Sequence, residues 1–411
     1  MNYFLYPIRD AFITDHPDYI YKNTGLDEIL EIEKSLAVDA DGSISGSLGT
    51  VLSRALIKFD LNQISASLVN GNVTNPKFYL NLKVAESNEV PVYYTLAAYP
   101  LASDWSMGTG YKYDGSSKAD GVNWKFSDGV SASWWVSESL SNYDGGGIWY
   151  TSPSGTLGSG SGYAEPPFIN PHPYDPFPYC TGSVPTGSSS SSVVVPPSGA
   201  FQCFQVFNYQ TADVHMDVTS IINTWLSGSL PNHGFVILHN GETDPVDYGR
   251  LRFFSKETNT IYSPCLNISW DDSVFNTGSG SGSTDPFPTN DPVVSIKNLH
   301  SSYKAGSVIR FDVLTRPRYV IKTFTNKLSD YLVPYYLPYN SFYSIRDAES
   351  SMVFIPYSDS TRLSYTGSIG NYFTIDTTAL PQERYFKISI RSEFSDSQST
   401  FDISTAFKIS R

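Results

Sequence analysis

Polar and apolar residues alternate along RALIKFDLNQI, where Ala55, Ile57, Phe59 and Leu61 are set against Arg54, Lys58 and Asp60. That two-residue period predicts a strand with one buried face. The runs RDAFITD, ILEIEKSL, KFYLNLKVAE and VYYTLAAYPL read the same way, with Asn23 to Gly25 as a turn between the first two. Phe235, Val236, Ile237 and Leu238 form a run too apolar to be half exposed, and RLRFFSKE and CLNISW follow it as further strands. The period changes once. Val218, Ile221, Ile222, Trp225 and Leu226 recur at spacings of three and four, with Asp217 and Thr219 in capping positions and Gly228 as the stop. The pattern predicts about eight strands in two packed sheets, with one short helix plugging an end of the core.

Two stretches lack any apolar period. The first, Ser152 to Ala200, is dense in Pro, Gly and Ser and reads as a long loop. The second, residues 272–292, reads as a linker and shares the words GSGSG and DPFP with the first. Spacers converge on such words; the sharper reading is that both DPFP segments dock on similar grooves. From Val293 strand candidates resume in PVVSIKNLH, SVIRFDVLTR, RYVIKTFT, SMVFIPY, NYFTIDTTAL, RYFKISIRSE and FDISTAFKIS, a count and spacing that suit an immunoglobulin-like sandwich. The expectation is therefore an all-β chain: a sandwich over 1–271, a linker over 272–292 and a second sandwich over 293–411.

Composition agrees, since the chain is rich in Tyr, Phe, Ser, Gly and Thr. The net charge of −13 and the lack of clustered Lys and Arg argue against nucleic acid as a partner. No run approaches a membrane span, and the start MNYFLYPIRDAF lacks the basic opening of a signal peptide. The expected location is a cytoplasm, or a particle made there and released by lysis. Cys180, Cys203 and Cys265 are an odd number without a C-x-x-C pair and read as buried thiols.

The sequence carries no G-x-S-x-G elbow, since both GSGSG runs place Gly where the Ser would be needed and lie in spacers, no phosphate loop and no histidine pair at zinc spacing, although His233 and His239 flank one strand. No cofactor and no catalytic residue is expected. Glu28, Glu31 and Glu33 read as solvated faces, as do Asp10, Asp15 and Asp18; the calcium alternative takes Asp10, Asp15, Asp18 and Asp27 as oxygen ligands. The most suggestive stretch runs from Trp105 to Tyr150 and includes Tyr111 and Tyr113. Within it Trp124, Trp134, Trp135, Trp149 and Tyr150 are the glycan-binding candidates, because sugar rings stack on exposed aromatic faces. The competing reading is that these rings cover the core.

RDAFITD with NTGLDEILEIEK, the RALIKFDLNQI strand, the DWSMGTG loop from Asp104 to Gly110, the DVTSIINTW helix, the NHGFVIL strand and FFSKE to CLNISW together resemble the DNRLRE-type module over roughly residues 5 to 271. The resemblance implies a jelly-roll-like sandwich related to carbohydrate-binding modules, as found in cell-surface proteins and tailed-bacteriophage virions. The usual module is shorter and lacks 152–200. The C-terminal order, from SYKAGSVIRF through PQERYFKISIR, resembles a domain carried by tailed-phage structural proteins. The function these resemblances imply is non-enzymatic: a neck, tail or capsid-surface component of the virion that assembles with other virion proteins and with itself. The alternative is an adhesin that binds host surface polysaccharide, and the third reading is a hydrolase.

Overall fold

The computed structural model describes residues 1–36, 50–69, 73–113, 120–129, 133–135, 145–159, 200–208, 212–240, 242, 246–274, 292–318, 335–366, 370–394 and 397–411. The chain is all-β, with two α-helices among the described residues. It divides into two compact units, one of Leu5–Ser65 with Phe78–Leu266 and one of Met1–Phe4, Ala66–Lys77 and Asn267–Arg411. No helix among the described residues is long and apolar enough to cross a membrane.

The first unit is built on an eight-stranded sheet. Its order is Phe204–Asn208, Tyr93–Pro100, Phe235–His239, Thr50–Phe59, Ile29–Leu36, Gly249–Phe254 and Val84–Asn88, with Pro7–Thr14 also pairing Thr50–Phe59. The pairs are antiparallel. Phe235–His239 lies between two strands and is buried throughout, which is why its sequence does not alternate. The helix Thr219–Leu226 forms as its period requires, and Asp217 Oδ1 accepts from the Thr219 N–H at 2.9 Å. The helix buries Ile221, Ile222 and Trp225, and the Trp225 ring sits 4.7 Å from Phe235.

The expected loop over 152–200 starts with a strand, Leu157–Ser159, which pairs antiparallel with Ile148–Tyr150. Two strand expectations also change. RALIKFDLNQI is a strand only to Phe59; Asp60 Oδ1 then accepts from the Asn62 N–H at 3.0 Å and Asn62–Val69 is a helix. KFYLNLKVAE is two strands. Lys77–Leu82 pairs with Val214–Asp217, while Val84–Asn88 forms an edge of the large sheet, so one alternating run breaks at Lys83 and serves two sheets.

In the second unit one sheet has the order Pro292–Ile296, Val308–Pro317, Gly370–Asp376, Ser364–Thr366. The other runs Ser302–Lys304, Phe407–Ser410, Tyr385–Phe394, Ser341–Asp347, Val353–Ile355, with Ser397–Asp402 pairing Tyr385–Phe394. Phe311, Phe373 and Ile375 of the first sheet share a core with Tyr343, Phe386, Ile388 and Phe407 of the second. Tyr343 and Phe373 stack at 4.3 Å across it, so this unit is a sandwich. Six of the seven expected strands appear at least in part, whereas RYVIKTFT lies outside the described residues beyond Arg318. SFYSIRD, the buried strand Ser341–Asp347, has little apolar alternation to betray it.

Candidate functional site

The aromatic stretch is mostly interior. Trp105, Trp124, Trp135 and Trp149 are each at most 3% exposed, and Tyr150 is half-buried. The side chain of Trp134 lies outside the described residues. Trp124 and Trp149 flank the guanidinium of Arg54 at 4.9 and 5.0 Å. Arg54 is itself buried, its Nε donates to Glu242 Oε1 at 3.0 Å, Nη2 pairs with Oε2, and Nη1 donates to the Gly146 carbonyl. Gly146 has a φ of +85°, and a Cβ there would collide with Arg54 Nη1, so only glycine fits this approach. Three candidate rings, Trp124, Trp135 and Trp149, thus have faces taken up by packing, as the covering role requires.

An open aromatic surface lies on residues 19–22 and 111–113. Asn23 makes it: its Nδ2 donates to the carbonyls of Met107 and Val122 at 2.7 and 2.9 Å, and its Oδ1 accepts from the N–H groups of Gly25 and Gly110 at 3.1 and 2.8 Å. A Cβ at Gly25 would collide with the Met107 carbonyl oxygen. The Asn23–Gly25 turn and the DWSMGTG loop are therefore one locked unit, and it sets residues 19–22 against residues 111–113. Tyr19 and Tyr113 meet edge-on at 5.9 Å, and Tyr21 lies 6.4 Å from Phe126. Tyr21, Tyr111 and Tyr113 are 56%, 44% and 68% exposed.

Lys112 anchors this cluster. Its ammonium lies over Phe12, Tyr19 and Tyr113 at 5.4, 5.3 and 5.6 Å and pairs with Glu31 Oε1. Glu31 Oε2 accepts from Arg252 Nε at 3.2 Å, and Arg252 Nη1 reaches Glu86 at 2.6 Å. The register places Glu31, Arg252 and Glu86 opposite one another on three adjacent strands, so the charges form a ladder across one sheet face. Hydrogen bonding to Arg252 holds Glu86 below its usual carboxylate value. Glu31 is 2% exposed, which corrects its reading as a solvated group. Two cations make its burial tolerable.

The calcium candidates do not converge. Asp10 accepts from the Lys256 N–H at 2.6 Å, Asp15 from Leu52 at 2.6 Å and Asp27 from Lys112 at 2.8 Å, while Asp18 is exposed near His16. Among the described residues no three His, Cys, Asp or Glu side chains are grouped to hold a metal. Asp10 is only 1% exposed, again contrary to a solvated reading, and burial pushes its carboxyl up to about 7. Burial raises Asp15 to about 6 and also raises Asp27.

His233 and His239 do not meet. His233 Nδ1 lies 3.7 Å from Asp104, whereas His239 is buried between Tyr94 and Tyr248, at 6.0 and 5.5 Å. Burial, with the nearby Lys34 cation, lowers His239 to about 3. Cys203 and Cys265 are free, and burial pushes their thiols up to about 12 and about 11; Cys180 lies outside the described residues. A hollow of about 290 Å³ beside Ile8, Phe59 and Trp225 contains Lys58 and Asp60, and Lys58 is bound to Asp104 at 2.8 Å.

In the sequence Tyr111 and Tyr113 stand only as members of the longer aromatic run, and Tyr19 and Tyr21 carry no signal of their own. Their grouping depends on Asn23, whose four hydrogen bonds no spacing rule reveals. No protein-family model matches this sequence, and no curated protein matches it either.

Proposed function

We propose that this protein is a non-enzymatic structural component of a tailed-bacteriophage particle, at the neck, tail or capsid surface, working through protein–protein assembly. The sequence resemblance motivates the particle. The observation that carries a contact function is the group of exposed tyrosines held on a rigid β unit, because tyrosine is enriched where protein surfaces meet and loses little freedom on docking. The buried charged groups beside them are engaged within the fold: Arg54 with Glu242, and Glu31 with Lys112 and Arg252. That is a structural use of charge. The test is mass spectrometry of purified particles together with sedimentation of the recombinant chain. Copies in the particle and an oligomer in solution are expected; a lone monomer with no copy in particles overturns the proposal.

A second reading, adhesion to host surface polysaccharide, is favoured by the same tyrosines, since their open faces suit sugar rings. Glycan-array binding that Tyr113→Ala abolishes would establish it, and binding that survives this change would move the sugar site elsewhere.

A further inference from the structure

The proline-rich words that the sequence repeats have a matching surface. We infer that the tyrosine face around Lys112 is a docking site for a proline-rich segment, and that its occupant is residues 165–178 of a second copy of this chain. The inference rests on the assembly reading and names the partner.

The face has the chemistry. Tyr21, Tyr111 and Tyr113 expose broad ring surfaces, and Tyr19 and Tyr113 are fixed against each other through the Lys112 ammonium. Lys112 is in turn held by Glu31, so the Tyr19 and Tyr113 rings are held in place before anything binds, which lowers the entropic cost of docking. Aromatic-lined surfaces of this kind take proline-rich chains, whose pyrrolidine rings lie flat against aromatic faces and whose fixed φ leaves little freedom to lose.

The occupant is written in the same chain. EPPFINPHPYDPFP, residues 165–178, holds six prolines, and the word DPFP returns at 285–288. One of its acids, Glu165 or Asp175, can approach the Lys22 ammonium, which lies 5.2 Å from the Tyr19 ring and donates to the Lys112 carbonyl at 3.3 Å. Site and segment are different parts of the chain, so each copy can give one and receive one, the head-to-tail arrangement that closes into rings.

The test is titration of a fluorescent synthetic peptide of residues 163–179 into the full-length chain and into full-length Tyr113→Ser and Tyr21→Ser. Saturable binding is expected, weakened about tenfold or more by each substitution. Melting followed by tryptophan emission checks that the variants fold, and these exposed rings are expected to leave it unchanged. In sedimentation, the full chain carrying Pro166→Ser, Pro167→Ser, Pro176→Ser and Pro178→Ser is expected to lose self-association. A silent peptide, equal binding by folded tyrosine variants, or undiminished association of the proline variant overturns the inference. A polysaccharide that binds this face while the peptide does not also overturns it and gives the face to the adhesion reading. Copies found in purified particles despite a silent peptide leave the assembly reading standing and remove only the occupant.

Discussion

Replacing Asp10 with asparagine is expected to stabilise the protein progressively as pH rises. Asp10 is 1% exposed on the strand Pro7–Thr14, and its Oδ2 accepts from the Lys256 N–H at 2.6 Å. The amide oxygen of an asparagine in its place can keep that bond. Burial raises the folded carboxyl from 3.8 to about 7, so the native state holds this proton more tightly than the unfolded chain does. The resulting stabilisation is present at low pH, is lost as pH rises through the interval between those two values, and is gone above about 7. At about 1.4 kcal/mol per pH unit, the parent chain loses about 2 kcal/mol from this group between roughly pH 5.5 and 8. Asp10→Asn has no such loss. Urea unfolding followed by tryptophan emission isolates the relevant unit, because Trp105, Trp124, Trp134, Trp135, Trp149 and Trp225 lie in it and only Trp270 does not. The stability difference between variant and parent should shift in favour of asparagine by about 2 kcal/mol over that range, on top of any pH-independent offset. A difference that is flat with pH would refute the argument, since it would mean that Asp10 titrates as an ordinary carboxyl.

Arg54→Met leaves Glu242 buried without its cation and is expected to destabilise the first unit by about 3–5 kcal/mol, seen as a fall in urea midpoint. Adding Glu242→Leu should recover a large part of that loss, and no recovery would mean that the two tryptophan contacts dominate. His239→Phe acts with the opposite pH sense to Asp10. A histidine lowered to about 3 when folded loses stability as pH falls from 6.5, so the variant should gain on the parent by about 2 kcal/mol at roughly pH 5 and by nothing extra at pH 8. The stretch read as a loop over 152–200 begins with Leu157–Ser159 paired antiparallel to Ile148–Tyr150, and at its far end the Phe201 N–H donates to the Thr151 carbonyl at 2.9 Å. Replacing residues 160–199 with a short Gly/Ser linker is expected to keep a cooperative melt within about 5 °C of the parent, and loss of that transition would show that the insertion supports the core.

Sequence by itself determined the all-β class, most strands and the helix Thr219–Leu226. These follow from local periods: two for a half-buried strand such as Thr50–Phe59, three and four for the helix. Local period could not reveal that KFYLNLKVAE divides between two sheets, nor that the serine-rich SFYSIRD is an interior strand, because both depend on which neighbours each strand meets. The same limit governed the site. Trp124 and Trp149 look like sugar platforms in sequence, yet tertiary structure turns them inward around Arg54, where a guanidinium and two rings satisfy one another away from water. Glu31 and Asp10 look solvated, yet strand pairing sets Glu31 between Lys112 and Arg252 and a backbone N–H meets Asp10. Periodicity records how often a side chain faces the core, whereas burial of a charge and exposure of a tyrosine depend on partners distant in the chain, and only the tertiary fold supplies those.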